Sequence, residues 1–472
     1  MQIINSFLFN ISLGFYLILA LQWYSYKFKR IIFHYHNFYL HLYFIIVPCL
    51  IFISLIAFNQ IILLIYLLIN CLGLIFWHKK LDKKLVFTKK VIVFFIILII
   101  LSAIFSYLAL SYSLYFLTPT LPLSFILLKI YDILLNAYYK KRARKIYIFK
   151  DLQIILITAS FGKTSIKNFL YELLKDDFLV QKTPRSVNTL LGIIKDINEN
   201  LKPDTQIYIV EAGARLKGDI LEITKFLNPH FCIIGEIGKA HLEYFKSVEN
   251  IRKTKLEALQ SKRLKKAFVH SSTKLSEGEN IIIYDTKLTK ANSSLESLEF
   301  SMIIDKIYHF TSHILGTFNA QNLCACICCA KELGLNIINL SEKISKLNPV
   351  EHRLQVIAKN PKFIIDDGFN GNFAGMSESY RMCKDYNKGQ RVLVTPGIIE
   401  VEEEENIRLC KIINECFDMA IISARINAGI FKQHLNIKNI ILNDKSELVP
   451  TLATQTKEND LILFSNDAPN YL

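Results

Sequence analysis

The chain has 472 residues, enough for about three domains of ordinary size. Its 56 Lys and Arg residues outnumber its 41 Asp and Glu residues, for a net charge of +15. Such an excess often indicates a nucleic-acid partner, but much of it lies between apolar segments of residues 1–145. We therefore expect no nucleic-acid binding. The ten cysteines lack metal-type spacing, which argues against a zinc site and predicts reduced thiols.

Long apolar runs dominate residues 1–138 and predict five transmembrane helices, each close to the ~20 residues that a bilayer requires. The predicted spans are 4–23, 39–58, 61–77, 91–108 and 121–138. Five spans place the basic clusters of 27–30, 79–90 and 140–145 on one side, which the positive-inside rule makes cytoplasmic. This pattern predicts a multi-pass membrane protein whose residues 146–472 lie in the cytoplasm. The alternative is a hydrophobic soluble helical domain.

After residue 145, short aliphatic strands alternate with amphipathic helices, which predicts parallel, doubly wound sheets. Polar residues follow the strands 207–210, 231–234, 363–365, 392–394, 419–422 and 461–464, at the edge where such sheets bind ligands. We predict an N-terminal α-helical membrane domain, residues 1–145, followed by α/β structure. Residues 146–347 are predicted to be a P-loop-type central ATPase domain and residues 348–472 a C-terminal Rossmann-like α/β domain.

The α/β region begins with a candidate phosphate loop. A buried strand, 154–157, precedes Gly162-Lys163-Thr164-Ser165, and a helical repeat follows at 166–174. Free N–H groups at a helix N-terminus, a lysine charge and a hydroxyl suit a phosphate with Mg²⁺. The strict P-loop pattern fails because Ile157 stands at its first glycine, and a shorter form fits except for Ala159. The alternative is a chance Gly-Lys-Thr sequence in a soluble loop.

The chain resembles the Mur ligase family when this loop is considered together with Glu211, His241 and the asparagines of 319–322. Members of that family are ATP-dependent enzymes that build the peptide stem of the bacterial cell wall. Within it, residues 150–472 look most like the MurF type, which adds D-alanyl-D-alanine. The motif at 237–251 is the most specific. The resembling motifs are TASFGKTS (158–165), TPRSVNTLLG (183–192), IVEAGA (209–214), IGKAHLEYFKSVENI (237–251), KLE (255–257), GTFNAQN (316–322), HR (352–353) and DDGFNGN (366–372).

The resemblance implies a role for each site residue. The expected ATP-binding residues are Ser160, Gly162, Lys163, Thr164, Ser165, Asn319, Asn322, Arg353 and Asp367. The expected Mg²⁺ ligands are Thr164, Glu211, His241 and a carbamylated Lys255. The expected catalytic residues are Lys163, Lys255, His241 and Arg353, and the expected substrate contacts are Asn188, Thr189, Asp366, Asn370 and Asn372. The alternatives are a structural His241, a solvated Lys255 and helix-capping roles for Asn319 and Asn322.

The resemblance implies amide formation through an acyl phosphate, which joins D-alanyl-D-alanine to a UDP-N-acetylmuramoyl-tripeptide. The chain departs from the family at Ala159, Phe318, Phe369 and Phe373, and a predicted membrane domain replaces the uridine-binding domain. Together with the predicted spans, the resemblance implies a multi-pass protein of the bacterial inner membrane with its catalytic domains in the cytoplasm. A second hypothesis is therefore a Mur-like ligase that acts on a lipid-linked precursor or makes a poly-amino acid. A third, an ATP-regulated membrane transporter, is disfavoured because only Lys129 and Asp132 place charges within the spans.

Overall fold

A computed structural model describes residues 1–24, 26, 38–81, 84–112, 114–117, 119–148, 152–240, 242–369, 371–399 and 403–466. The chain divides into two compact units, residues 1–138 and the residues from Tyr139 onward. The first unit is helical. Its helices are Gln2–Trp23, Phe38–His41, Val47–Leu55, Gln60–Lys79, Lys89–Ser111 and Thr120–Ile148, the last of which continues into the second unit, with a π-helical turn at Leu42–Ile46 and a 3-10 turn at Leu114–Leu117.

Four helices among the described residues have the length and composition to cross a membrane: Gln2–Trp23, Gln60–Lys79, Lys89–Ser111 and Thr120–Ile146. The span predicted for 39–58 is a shorter apolar helix, Tyr39–Leu55, with a π-helical turn within it. An even number of spans would leave both ends of the unit on the same side. The sidedness argument from the basic clusters required an odd number, so this count does not support it.

The second unit begins with a six-stranded parallel sheet in the order β2-β3-β1-β4-β5-β6, and its parallel pairing confirms the prediction. Its strands are β1 (Gln153–Thr158), β2 (Val180–Lys182), β3 (Ile207–Glu211), β4 (Phe231–Ile234), β5 (Lys266–Val269) and β6 (Ile281–Ile283). Alternate residues of β1 face opposite cores, because successive strand side chains point to opposite faces. Ile155 and Ile157 pack against the helices Lys163–Leu174 and Thr317–Glu332.

On the other face, Ile154 and Leu156 pack against three more helices. The helices on this face are Leu190–Glu199, Asp219–Leu227 and Val248–Leu256, with the short helix Leu242–Phe245 and a 3-10 turn, Glu257–Gln260, nearby in the chain. An unpredicted antiparallel sheet follows, made of β7 (Leu288–Ser293), β8 (Leu298–Ile303) and β9 (Ile307–Ser312). Four cysteines are buried within the helix Thr317–Glu332 as free thiols, in agreement with a packing role.

The second sheet has the order β10-β11-β15-β12-β13-β14 and is parallel except for β10. Its strands are β10 (Gln355–Ala358), β11 (Phe363–Asp367), β12 (Arg391–Thr395), β13 (Met419–Ile422), β14 (Lys438–Ile441) and β15 (Leu461–Ser465). The helices of this part are Ile337–Ser345, Phe373–Cys383, Glu403–Cys416, Ala428–His434 and Leu448–Gln455. Although β15 is the last strand along the chain, it lies between β11 and β12, so the sheet is continuous only through it.

Candidate active site

A cavity of about 480 Å³ lies within the second unit, and residues that follow strands of both sheets line it. This placement agrees with the rule that parallel sheets bind ligands at the carboxyl ends of their strands. The first part of the unit contributes Ser160–Ser165, Ser186, Asn188, Glu211, Glu236, Lys239, Ala240, His270, Tyr284, Phe318, Gln321 and Asn322. The part of the unit that contains the second sheet contributes Arg353, Asp367, Phe369, Gly371, Asn372, Ala374, Gly375, Glu378 and Ile399.

The phosphate loop joins β1 to the helix Lys163–Leu174, and Gly162 caps that helix with a left-handed backbone, φ 76°. A Cβ atom at residue 162 would lie 2.7 Å from Asn322 Oδ1, so both backbone conformation and space require glycine here. Ala159, which departs from the expected glycine, is accommodated because residue 235 is glycine: a Cβ there would lie 2.8 Å from the Ala159 methyl. The loop therefore forms despite the imperfect motif.

Lys163 lies in the cavity wall, where its Nζ donates to the carbonyl oxygens of Ala159 at 2.8 Å and Ser160 at 3.1 Å. Burial lowers the pKa of Lys163 below its usual value; the carboxylate of Glu211 raises that pKa, and the guanidinium of Arg353 lowers it. The first and second sheets thus each bring a cation to the same cavity. Two cations beside a helix N-terminus suit a polyanionic ligand such as a polyphosphate.

Glu211 ends β3 and is almost fully buried, and three side chains hold its carboxylate. Thr164 Oγ1 donates to Oε2 at 3.0 Å, and Lys167 Nζ lies 3.1 Å from the same oxygen. Asn188 Nδ2 donates to Oε1 at 3.1 Å. The structure therefore brings together the predicted residues Thr164, Asn188 and Glu211. The sequence analysis missed Lys167, although a lysine on the apolar face of this helix, beside Ile166, was a signal.

The predicted metal set is brought together only in part. Thr164 and Glu211 are in contact, whereas His241 lies outside the described residues. Within the described part of the chain, no three His, Cys, Asp or Glu side chains form a group that could hold a metal ion. Lys255 is buried on the helix Val248–Leu256 and does not line the cavity. Burial lowers its pKa well below the usual value, and the charge of Lys163 lowers it further, against three nearby carboxylates.

The two predicted nucleoside contacts differ in position. Asn322 lines the cavity, but Asn319 is buried behind it, where its Nδ2 donates to Leu315 O at 2.7 Å and its Oδ1 accepts from Asn322 Nδ2 at 3.1 Å. Asn319 thus orients Asn322. The sequence analysis missed His270, which lines the same wall with Gln321 and whose Nε2 lies 3.3 Å from Gln321 Oε1. Its place directly after β5 was the signal that could have found it.

The second sheet contributes Arg353 and Asp367. Arg353 donates from Nη1 to Phe369 O at 2.6 Å, and burial lowers the pKa of its guanidinium. Asp367 is 1% exposed, lines the cavity and accepts from Leu354 N at 3.0 Å. The predicted substrate contact Asp366 instead lies 2.6 Å from His352 Nδ1 and does not line the cavity, because neighbouring strand residues point to opposite faces.

Of the remaining predicted substrate residues, Asn372 and Thr189 lie at helix starts, and Asn370 is not among the residues that the structure describes. Asn372 lines the cavity and caps the helix Phe373–Cys383, where its Oδ1 accepts from Gly375 N at 2.8 Å. Thr189 caps the helix Leu190–Glu199 through Gly192 N and does not line the cavity. Asn370 lies outside the described residues.

Residues 157–330 match the family described as the Mur ligase middle domain. The chain contains a Mur ligase middle domain. This part holds the phosphate loop, Glu211 and the helix that contributes Asn322, so the family assignment and the geometry of the cavity concern the same residues. The α/β fold predicted for this part is confirmed.

Curated relatives are similar over a larger share of the chain than this family match covers. The UDP-N-acetylmuramoyl-tripeptide--D-alanyl-D-alanine ligase of Buchnera aphidicola subsp. Baizongia pistaciae is 25% identical over 345 residues, 66% of this chain and 74% of the relative. The enzyme of the same name from Bacillus subtilis is 23% identical over 336 residues, 66% and 72% of the two chains. The crystal structure of MurF ligase from Thermotoga maritima in complex with ADP has the same fold, with a TM-score of 0.61, 23% identity and coverage of 70% of this chain and 80% of that one.

These comparisons correct the predicted location. The prediction of a multi-pass protein in the bacterial inner membrane is wrong, because the MurF enzymes that this chain resembles are soluble and cytoplasmic. The apolar helices that led to it satisfy length and composition alone. Of the four helices, Gln2–Trp23 has 56% of its apolar window buried, and the other three have 17–28%.

Proposed function

We propose that this Mur ligase joins D-alanyl-D-alanine to a UDP-N-acetylmuramoyl-tripeptide in an ATP-dependent reaction. One observation carries the proposal: a single cavity brings together the phosphate loop, Glu211 at the end of β3 and Arg353 beside the second sheet. The identity of the two substrates is supported by the printed names of the relatives from Buchnera and Bacillus. The central ATPase domain, 146–347, and the C-terminal domain, 348–472, stay predictions, and the cavity draws on both.

ATP is proposed to lie with its phosphates at the start of the helix Lys163–Leu174. Backbone N–H groups there, the Lys163 ammonium and the Arg353 guanidinium would neutralise phosphate charge, which is the main task in phosphoryl transfer. Ser160 and Ser165 complete the loop. Asn322, which Asn319 orients, and Asp367 on the opposite wall are proposed to contact the nucleoside.

Mg²⁺ fits the contact between Thr164 and Glu211. A hydroxyl and a carboxylate that already touch at 3.0 Å in the cavity wall are the hard oxygen ligands that this ion prefers. When bound there, Mg²⁺ would supply positive charge to the phosphoryl oxygens. His241 and a carbamylated Lys255 stay proposals as further ligands. The low pKa of Lys255 supports the carbamate, since the unprotonated amine is the form that reacts with carbon dioxide.

The two organic substrates must meet beside the phosphate end of ATP. Asn188, which is in contact with Glu211, is proposed to receive the muramyl-tripeptide carboxylate, with Thr189 next in the chain. On the opposite wall, Asn372 is proposed to receive the dipeptide amine, with Asp366 and Asn370 from the same motif. Alignment of the two reactants in one cavity lowers the entropic barrier to amide formation.

The direct test is ADP release by the purified full-length protein with ATP, Mg²⁺, UDP-N-acetylmuramoyl-tripeptide and D-alanyl-D-alanine. We expect release only when both organic substrates are present, and a product of the summed mass less water. Omission of either substrate is the control. Equal ADP release without the dipeptide, or release that requires glutamate instead, would contradict the proposal and favour a poly-amino-acid ligase.

A further inference from the structure

Lys167 is a fully buried lysine that none of the site assignments above uses. It lies on the helix Lys163–Leu174, one turn after Lys163, among the apolar side chains that pack the helix onto β1. A buried ammonium is costly unless charge and hydrogen bonds compensate it. Both are provided by residues of the candidate site: Nζ lies 3.1 Å from Glu211 Oε2 and also donates to the carbonyl oxygen of Arg185.

The second contact involves the carboxyl-substrate segment, as we name residues 183–188. Arg185 has a left-handed backbone, φ 45°, a conformation that residues other than glycine seldom adopt. This backbone presents the Arg185 carbonyl to Lys167. Ser186 and Asn188, on either side of Val187, line the cavity. The ammonium therefore holds a strained turn whose neighbours form the wall where the carboxyl substrate is proposed to bind.

The same segment is attached at one end to β3 and at the other to the residues that directly follow β3. Glu211 N donates to Thr183 Oγ1 at 3.2 Å, and Gly213 N donates to Asn188 O at 2.8 Å. Asn188 Nδ2 also donates to Glu211 Oε1. Lys167 adds the charged contact at the middle of the segment. Asn188, which belongs to the segment, therefore binds one carboxylate oxygen of Glu211. Lys167 binds the other oxygen and also binds the segment through the Arg185 carbonyl.

We propose that Lys167 is a positioning residue that couples the carboxyl-substrate segment to Glu211. The ammonium fixes the segment and the carboxylate in one arrangement, so that the acyl substrate meets the phosphate end of ATP in register. Lys167 makes no hydrogen bond to the loop 158–162 among the described residues, so we expect its removal to leave ADP affinity unchanged. The inference depends on the proposed function in one respect only, which is the identity of the carboxyl substrate.

The test compares Lys167→Met, whose side chain fits the buried space without a charge, with Lys182→Met. Lys182 is a matched control because its Nζ donates to Asn168 on the same helix at 2.6 Å but does not contact Glu211. We expect Lys167→Met to raise the KM for UDP-N-acetylmuramoyl-tripeptide by about 10-fold or more, since misplacement of a reactant costs up to ~100-fold. The Kd for ADP, measured by calorimetry without Mg²⁺, should stay within about twofold in both variants.

Hydrogen exchange of the segment gives a second readout that needs no substrate. The Val187 N–H, which donates to Pro184 O at 3.0 Å, should exchange faster in Lys167→Met and not in Lys182→Met. If Lys167→Met does not fold, the same comparison is made between Glu211→Gln and the double variant Glu211→Gln/Lys167→Met, which leaves no unpaired charge.

An unchanged tripeptide KM, an unchanged exchange rate, or a loss of ADP affinity parallel to the rise in KM would each overturn the coupling. The last of these would give Lys167 a general role in supporting the loop. If the wild-type protein does not use the tripeptide while exchange still rises only in Lys167→Met, the proposed function fails and the coupling stands.

Discussion

Replacement of Lys163 by methionine tests the phosphate loop most directly. The change removes one of the cations that line the cavity and leaves Arg353 in place. Loss of one preorganised electrostatic contact lowers turnover by about 10²–10³. Because the guanidinium retains part of the stabilisation, we expect a ~100-fold fall in kcat, or about 2.7 kcal/mol at 1.36 kcal/mol per tenfold.

The fold should survive this change. Lys163 Nζ gives up two hydrogen bonds to loop carbonyls, each worth about 1 kcal/mol net, and a buried charge is removed at the same time. We therefore expect the free energy of unfolding to change by less than about 2 kcal/mol. The assay is ADP release in the complete reaction, with Lys182→Met as the folded control that keeps the loop lysine. A folded Lys163→Met protein with near-normal turnover would refute the reasoning, since the cation would then not face the transferred phosphoryl group.

Three further changes test other parts of the site and fold. Glu211→Gln should raise the Mg²⁺ concentration for half-maximal activity by about 10-fold or more, since it removes a charged oxygen ligand; an unchanged Mg²⁺ dependence in titrations of ADP release would exclude that role. Lys255→Ala should be inactive and partly recover when a short carboxylic acid is added, and full activity without the acid would contradict the carbamate. His230 has its pKa lowered to about 4 by burial and two nearby cations, and its Nδ1 accepts from Ile154 N at 3.1 Å. The unfolded chain therefore binds the proton more readily, so thermal unfolding should show stability lost as the pH falls from about 6.5 to about 4, and His230→Asn, which keeps an acceptor, should remove that part of the loss.

The parallel sheets were predictable because their strands are continuous aliphatic runs buried on both faces. The sheet of β7, β8 and β9 was not, because it alternates weakly: Leu288–Ser293 has two apolar residues, Leu288 and Ala291, among six. A strand of this kind is specified by its cross-strand partners, which sequence spacing does not reveal. The seven strands that the sequence predicted end within two residues of the observed ends, whereas β2, β5, β6, β10 and β14 were not predicted.

The site was predictable to the extent that residues after parallel strands must meet at one edge. Glu211 and Asp367 were found by this rule, and His270 follows it too. The direction in which each side chain points was harder to predict. Asp366 and Asp367 are adjacent, yet only Asp367 lines the cavity. Which of two neighbours faces the ligand depends on the core that the strand packs against. The ion pair of Lys167 and Glu211 depends likewise on a contact between residues far apart in the chain.

The central place of β15 has a consequence for synthesis of the protein. The first sheet has all its strands once Ile283 has left the ribosome, and the helix Thr317–Glu332 that packs on one of its faces follows well before β15. The second sheet cannot close until residues 461–465 emerge, because β11 and β12 have no direct pairing and meet only through β15. Asp367 pairs with Ser465 at the end of this ladder. A nascent or prematurely terminated chain that lacks β15 would therefore form the phosphate loop but not the part of the cavity that the second sheet contributes. A nucleotide can contact both parts of the cavity only after β15 has been synthesised.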